Sequence, residues 1–185
     1  MADPRVLWPR EVADVRPWLI GSLDRLAPLV GVERLEYVGR ETPVGERWTC
    51  TDRRGRDRLA GGIRPDITAR DEAGWCVVIE AQYGPADHQH LGQLVTYGRA
   101  AEAVLAVWAV ADFDPVFSAD HLDVLAELNE VFAGRRRFAL VAVTVESDPS
   151  PAPPAADATL VPRFHSVDLL THRWISSPSP SSCSI

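Results

Sequence analysis

The amino-acid sequence predicts an α/β domain, a mixed β-sheet core flanked by helices. Two observations carry that prediction. Apolar runs at 76–81, 104–110 and 138–145 have the look of strands, the first of them, interrupted only by the acid Glu80, that of a buried central strand. Residues 87–103 and 120–132, lying between those runs, place Leu, Val and Phe at helical spacing. Alternation of this kind sets a sheet between helices.

The elements follow in order. Residues 11–30 read as an amphipathic helix with Val15, Trp18, Leu19, Leu23, Leu26 and Val30 on one face, kinked or split by Pro17 and Pro28. Leu35 to Val38 is short, apolar and β-prone. Asp52-Arg53-Arg54-Gly55 is a hairpin turn signal inside the mixed stretch 41–59. Ile63 to Ala69 reads as a strand, followed by a turn over 70–74. Cys76 to Ala81 is the buried strand that ends on an acid, and Asp87 is an N-cap for a helix reaching about Ala103, with Leu91, Leu94 and Val95 packing. A strand over 104–110, a helix over 120–132 and a strand over 138–145 complete the first 146 residues, read as one domain. Residues 147–175 read as a Pro-rich linker with an extension that packs on the domain and adds a last strand and a helical turn at 160–170. The Ser- and Pro-rich tail, 176–185, is expected to be disordered.

Composition narrows the function. The chain has 185 residues, 46% hydrophobic and 24% charged, with enough length for one core. Its longest apolar run, Ala103 to Ala111, is too short to span a bilayer, so no membrane partner is expected. Cys50, Cys76 and Cys183 show neither even pairing nor metal-ligand spacing, which points to a reducing cytoplasm. A net charge of −7 argues against a protein that coats nucleic acid nonspecifically, while leaving room for a local basic patch. All 19 basic residues are arginine, so no lysine is present to serve a catalytic role. Arg53, Arg54, Arg56 and Arg58 cluster at the hairpin and fit a phosphate-contacting arm or, equally, a solvated loop. Arg135 to Arg137 fit a helix C-terminus.

The candidate chemistry lies between Asp66 and Tyr97. Magnesium needs only one or two carboxylates and keeps several waters. Asp66 and Glu80, at the ends of neighbouring strands, with the Ala81 backbone carbonyl, could supply such oxygens. Gln82 shares a sheet face with Glu80, because side chains alternate with period two. Gln93 and Tyr97 are i and i+4 on the following helix and share one face. His88 and His90, two apart, point in different directions and cannot chelate one ion; His88 is a candidate phosphate or water contact.

The strings Pro65-Asp66, Glu80-Ala81-Gln82 and Gln93-Leu94-Val95-Thr96-Tyr97 resemble the PD-(D/E)XK nuclease superfamily, particularly its RecB-like branch, with glutamine at the usual lysine position. The resemblance covers about residues 10 to 146 and is strong from Asp66 to Tyr97. It implies a restriction-endonuclease-like fold with a four-stranded mixed core. It implies Asp66 and Glu80 as Mg or Mn ligands, Glu41 as a weaker third candidate, and the stretch from Glu46 to Arg58 as an insertion. Gln82 would orient the attacking water without supplying charge, leaving that to metal or to an arginine such as Arg64 or Arg70. The expected function is a metal-dependent endonuclease or exonuclease acting on nucleic acid, DNA favoured, in defence or DNA repair, with a homodimer as one way to cut both strands. The alternatives are a catalytically disabled module of the same fold that binds nucleic acid or a partner protein, and a protein-interaction subunit.

Overall fold

The structure, a computed structural model, describes residues 1–44, 48–51, 57–60, 63–112, 114–115, 117–147, 160–169, 171 and 173–176; at 48–51, 57–60 and 173–176 it describes the backbone only. Among these residues the strands are β1 (Glu36–Arg40), β2 (Trp48–Thr51), β3 (Asp57–Ala60), β4 (Ile67–Arg70), β5 (Cys76–Tyr83), β6 (Leu105–Ala111), β7 (Arg137–Ser147), β8 (Leu160–Asp168) and β9 (Arg173–Ser176). The helices are α1 (Arg16–Ile20), α2 (Leu23–Leu26), α3 (His88–Ala100) and α4 (Ala119–Val131).

Seven strands form one sheet in the order β1-β4-β5-β6-β7-β8-β9, and β2 and β3 pair as a separate hairpin. The β5–β6 and β6–β7 pairs are parallel and the others antiparallel, so the sheet is mixed. Helices α3 and α4 make the two crossovers that parallel neighbours require. The sheet is wider than the four strands the resemblance implies. The extension also contributes two strands, β8 and β9, where a strand and a helical turn were expected: β8 pairs with β7 along its outer half and β9 pairs back on β8.

Alternation along the strands divides the core into two layers. One face, with Ile67, Val77, Ile79, Val107, Val141, Val143 and Phe164, packs against Val15, Leu19, Leu26 and Val30 of the N-terminal segment. The other, with Val78, Ala106, Trp108, Val110, Phe138 and Leu140, packs against Leu91 and Leu94 of α3 and Leu122 and Leu125 of α4. Gly98 lets α3 approach closely; a Cβ there would lie 3.2 Å from the Ala106 Cβ and 3.3 Å from Arg136 Cδ. Asp87 caps α3 as expected, its carboxylate accepting from the His90 N–H at 2.9 Å.

The N-terminal segment is broken beside both of its prolines and once more at Gly21-Ser22, which the prolines do not predict. Residues Glu11–Val15 form a π-type turn in which the Arg16 N–H donates to the Glu11 carbonyl, α1 and α2 follow as short pieces, and a 3-10 turn closes at Val30. Pro17 has no N–H to return to Ala13, which removes one α-type bond at the junction. The Pro-rich stretch 148–159 and the tail from 177 onward lie outside the described residues. No helix among the described residues is long and apolar enough to cross a membrane.

Candidate functional site

The acidic pair meets at one end of the sheet. Strand β4 runs antiparallel to β5 with Ile67 opposite Ile79, so Asp66, just before β4, lies level with Glu80. Both are buried, at 7% and 4% exposure. The Asp66 carboxylate accepts the Ala81 N–H at 2.9 Å, a bond the β4 backbone would otherwise make. Val104 donates to the Cys76 carbonyl and Gly84 to the Ala111 carbonyl, so even-numbered residues of β5 turn their backbone toward β6 and odd-numbered ones toward β4. The Ala81 carbonyl therefore faces the Asp66 side, where the continuing register offers Pro65, which has no N–H. That is the carbonyl the sequence nominates as a third oxygen.

Glu80 is the electrostatic centre. One carboxylate oxygen, Oε2, is buried with no hydrogen-bond partner. Burial first, and then the Asp66 charge, push its pKa from the ordinary 4.5 up to about 8. Asp66 is also raised by burial, against the opposing pull of the Ala81 N–H and Arg16. Tyr97, half-buried on α3, feels both acids: burial and the Glu80 and Asp66 charges raise its pKa, keeping the hydroxyl a proton donor. Gln93, one turn earlier, is half-buried, and no hydrogen bond joins it to either acid.

Arg16 was not legible as a site residue, yet it contacts three carboxylates. Its Nη1 lies 2.8 Å from Asp66 Oδ1 and 3.2 Å from Glu41 Oε1, and its Nη2 lies 3.1 Å from Glu11 Oε1. Residues five apart diverge on an α-helix, whereas the i→i+5 turn of Glu11–Val15 brings Glu11 and Arg16 back to one side. Glu41 is thus near the acids, and its backbone is left-handed at φ 49, uncommon for a residue with a side chain. Its N–H donates to the Asp66 carbonyl at 3.3 Å, and its carboxylate turns to Arg16. The two arginines named as charge donors do not reach in: Arg64 is exposed, and Arg70 Nη1 donates to the Gly74 carbonyl.

Gln82 has work of its own. Trp108 lies opposite Glu80 across β5 and β6, and its indole N–H donates to Gln82 Oε1 at 3.0 Å. Indole can only donate, so this bond fixes which end of the amide is oxygen. Both Nε2 hydrogens then go to the Pro85 carbonyl and to Asp87 Oδ2. The amide ties β5 to the α3 cap and leaves no donor for a water in this arrangement. His90 completes the network through Asp87, while His88 turns away to pair with His121, Nδ1 to Nε2 at 3.0 Å; the two histidines diverge as their spacing requires.

The expected nucleic-acid contacts are only partly described. Arg53, Arg54 and Arg56 lie outside the described residues, and of Arg58 only the backbone, in β3, is described. The hairpin itself forms, with Trp48 opposite Ala60, and a Val44–Ile63 bridge roots it between Glu41 and Asp66.

Among the described residues no group of three or more His, Cys, Asp or Glu side chains is arranged to hold a metal. Three of the acids, Glu11, Glu41 and Asp66, turn an oxygen to Arg16. Asp66, shared with Arg16, the unpartnered Glu80 oxygen and the Ala81 carbonyl are hard oxygens of the kind that suit Mg or Mn. No protein-family model, no curated protein and no solved structure matches this chain.

Proposed function

We propose that this chain is a metal-dependent nuclease with a restriction-endonuclease-like fold, hydrolysing phosphodiester bonds, DNA favoured. The observation that carries the reading is the buried pair Asp66 and Glu80, set level on neighbouring strands with one Glu80 oxygen unpartnered. A buried carboxyl without a hydrogen-bond donor keeps its proton, as its raised pKa records, and is ionised at lower cost where a cation stands beside it. A bound Mg or Mn would neutralise charge at the scissile phosphate and polarise it.

The chain's own residues do the rest. Asp66 is oriented by the Ala81 N–H and Arg16. Tyr97 holds a proton beside the acids, available to a phosphate oxygen. Gln82 fixes the strand-to-helix corner on which Tyr97 is carried. The arm rooted between Glu41 and Asp66 carries Arg53, Arg54, Arg56 and Arg58 in its sequence, and these would contact the phosphates of a strand. A homodimer would present two such sites to a duplex.

The test is incubation with Mn²⁺ and labelled single- and double-stranded DNA. Cleavage lost in Asp66→Ala and in Glu80→Ala is the expected result. A second reading, a disabled module gripping nucleic acid or a partner protein, is favoured by one observation, the fully bonded Gln82 amide at the usual lysine position. Tight DNA binding without cutting would establish it.

A further inference from the structure

The lysine-free chain carries one arginine at the heart of its acidic site, and its contacts are unusual. Arg16 is 12% exposed, touches Asp66, Glu41 and Glu11, and its Nε is buried with no partner. Asp66 Oδ1, the oxygen not engaged by Ala81, is the one Arg16 holds. Oδ1 is the Asp66 oxygen that the main chain leaves uncommitted, so it is the one a divalent cation held by Asp66 would compete for. The guanidinium and the cation therefore contend for one seat.

We propose that Arg16 is the site's built-in cation, that it would yield Asp66 Oδ1 to a divalent ion, and that the freed guanidinium would contact the phosphate of a bound strand. The inference rests on the nuclease reading and adds a residue and an order of events to it. Geometry favours the exchange. Arg16 keeps Glu11 and Glu41 as anchors when it gives up Asp66, so the side chain shifts without losing its charge partners. A guanidinium has five donors in a planar fork suited to phosphate, and here the Nε donor is unspent. The positive charge that lysine usually supplies would then come from the N-terminal segment.

Calorimetric titration of Mn²⁺ alone into wild type, Arg16→Gln, Arg16→Lys and Asp66→Asn tests the competition. Arg16→Gln should bind Mn²⁺ about tenfold more tightly than wild type, one unit charge having left the seat. At saturating Mn²⁺ the same variant should cleave a DNA duplex about 10²–10³-fold more slowly in single turnover. If Arg16→Gln does not fold, Arg16→Lys serves: one ammonium cannot span three carboxylates, so Mn²⁺ affinity should still rise while the rate falls. Equal or weaker Mn²⁺ binding by both variants overturns the competition, and an unchanged single-turnover rate overturns the phosphate contact. Wild type binding Mn²⁺ no better than Asp66→Asn would instead sink the nuclease reading beneath it.

Discussion

Replacing Glu80 with glutamine removes a charge that the fold resists, so the loss of a site acid should stabilise the protein. The magnitude follows from the shift, from 4.5 to about 8. Each unit is worth about 1.4 kcal/mol, so complete ionisation in the folded state costs on the order of 5 kcal/mol. The sign is set by which state keeps the proton. The folded pKa lies above the unfolded one, so the contribution is intact below 4.5 and is lost as pH rises to about 8. Between about pH 5 and pH 8 wild type should lose about 3 kcal/mol from this group alone. Urea unfolding of wild type and Glu80→Gln across that range, without divalent ions, reads the difference directly. The two stabilities should be close at the acid end and separate progressively, with the variant the more stable. Saturating Mn²⁺ near pH 8 should then restore wild type and leave Glu80→Gln unmoved. Parallel profiles for the two proteins would refute the reasoning.

Three further outcomes test the surrounding network. Trp108→Phe replaces the buried indole by a smaller aromatic ring and deletes the donor to Gln82, and should cost at least about 1–3 kcal/mol in urea denaturation. Gln82→Lys adds a positive charge at this position but leaves the Trp108 N–H without an acceptor; it should destabilise by a similar ~1–3 kcal/mol and, on the proposed nuclease reading, bring no gain in DNA cleavage rate. His121 is held below its ordinary 6.5, first by burial and then by His88, so its contribution is present above 6.5 and lost as pH falls through its lower folded value. The stability difference between wild type and His121→Phe, followed by thermal melts on acidification, should therefore shrink below about pH 6.5.

What the sequence discloses here depends on how local the physics is. Strand β5 is legible because a strand covered on both faces is apolar over most of its length, here Cys76 to Ile79, and Asp87 because a cap needs only its own next turn. Asp66 and Glu80 are legible as strand-end acids for the same reason. Arg16 is not, since two of its three partners, Glu41 and Asp66, come from distant parts of the chain and its approach to the third, Glu11, depends on a π-type turn. The occupation of Gln82 is hidden too, because Trp108 becomes its partner only through the parallel register of β5 and β6. Strand β9 is short and directly precedes the Ser- and Pro-rich tail, so its pairing with β8 left no pattern to read.

The hairpin rooted between β1 and β4 has a consequence for how such a protein changes. Strands β1 and β4 are neighbours, and the Glu41 N–H already reaches the Asp66 carbonyl at 3.3 Å across the gap from which the arm departs. The arm's own two strands pair with each other and not with the main sheet. Lengthening or exchanging it alters a loop whose closure cost grows only slowly with length. On the proposed nuclease reading, substrate preference and bond cleavage would then be written in separable stretches of one chain, and selection could re-aim the activity by rewriting the arm while Asp66 and Glu80 stay in register.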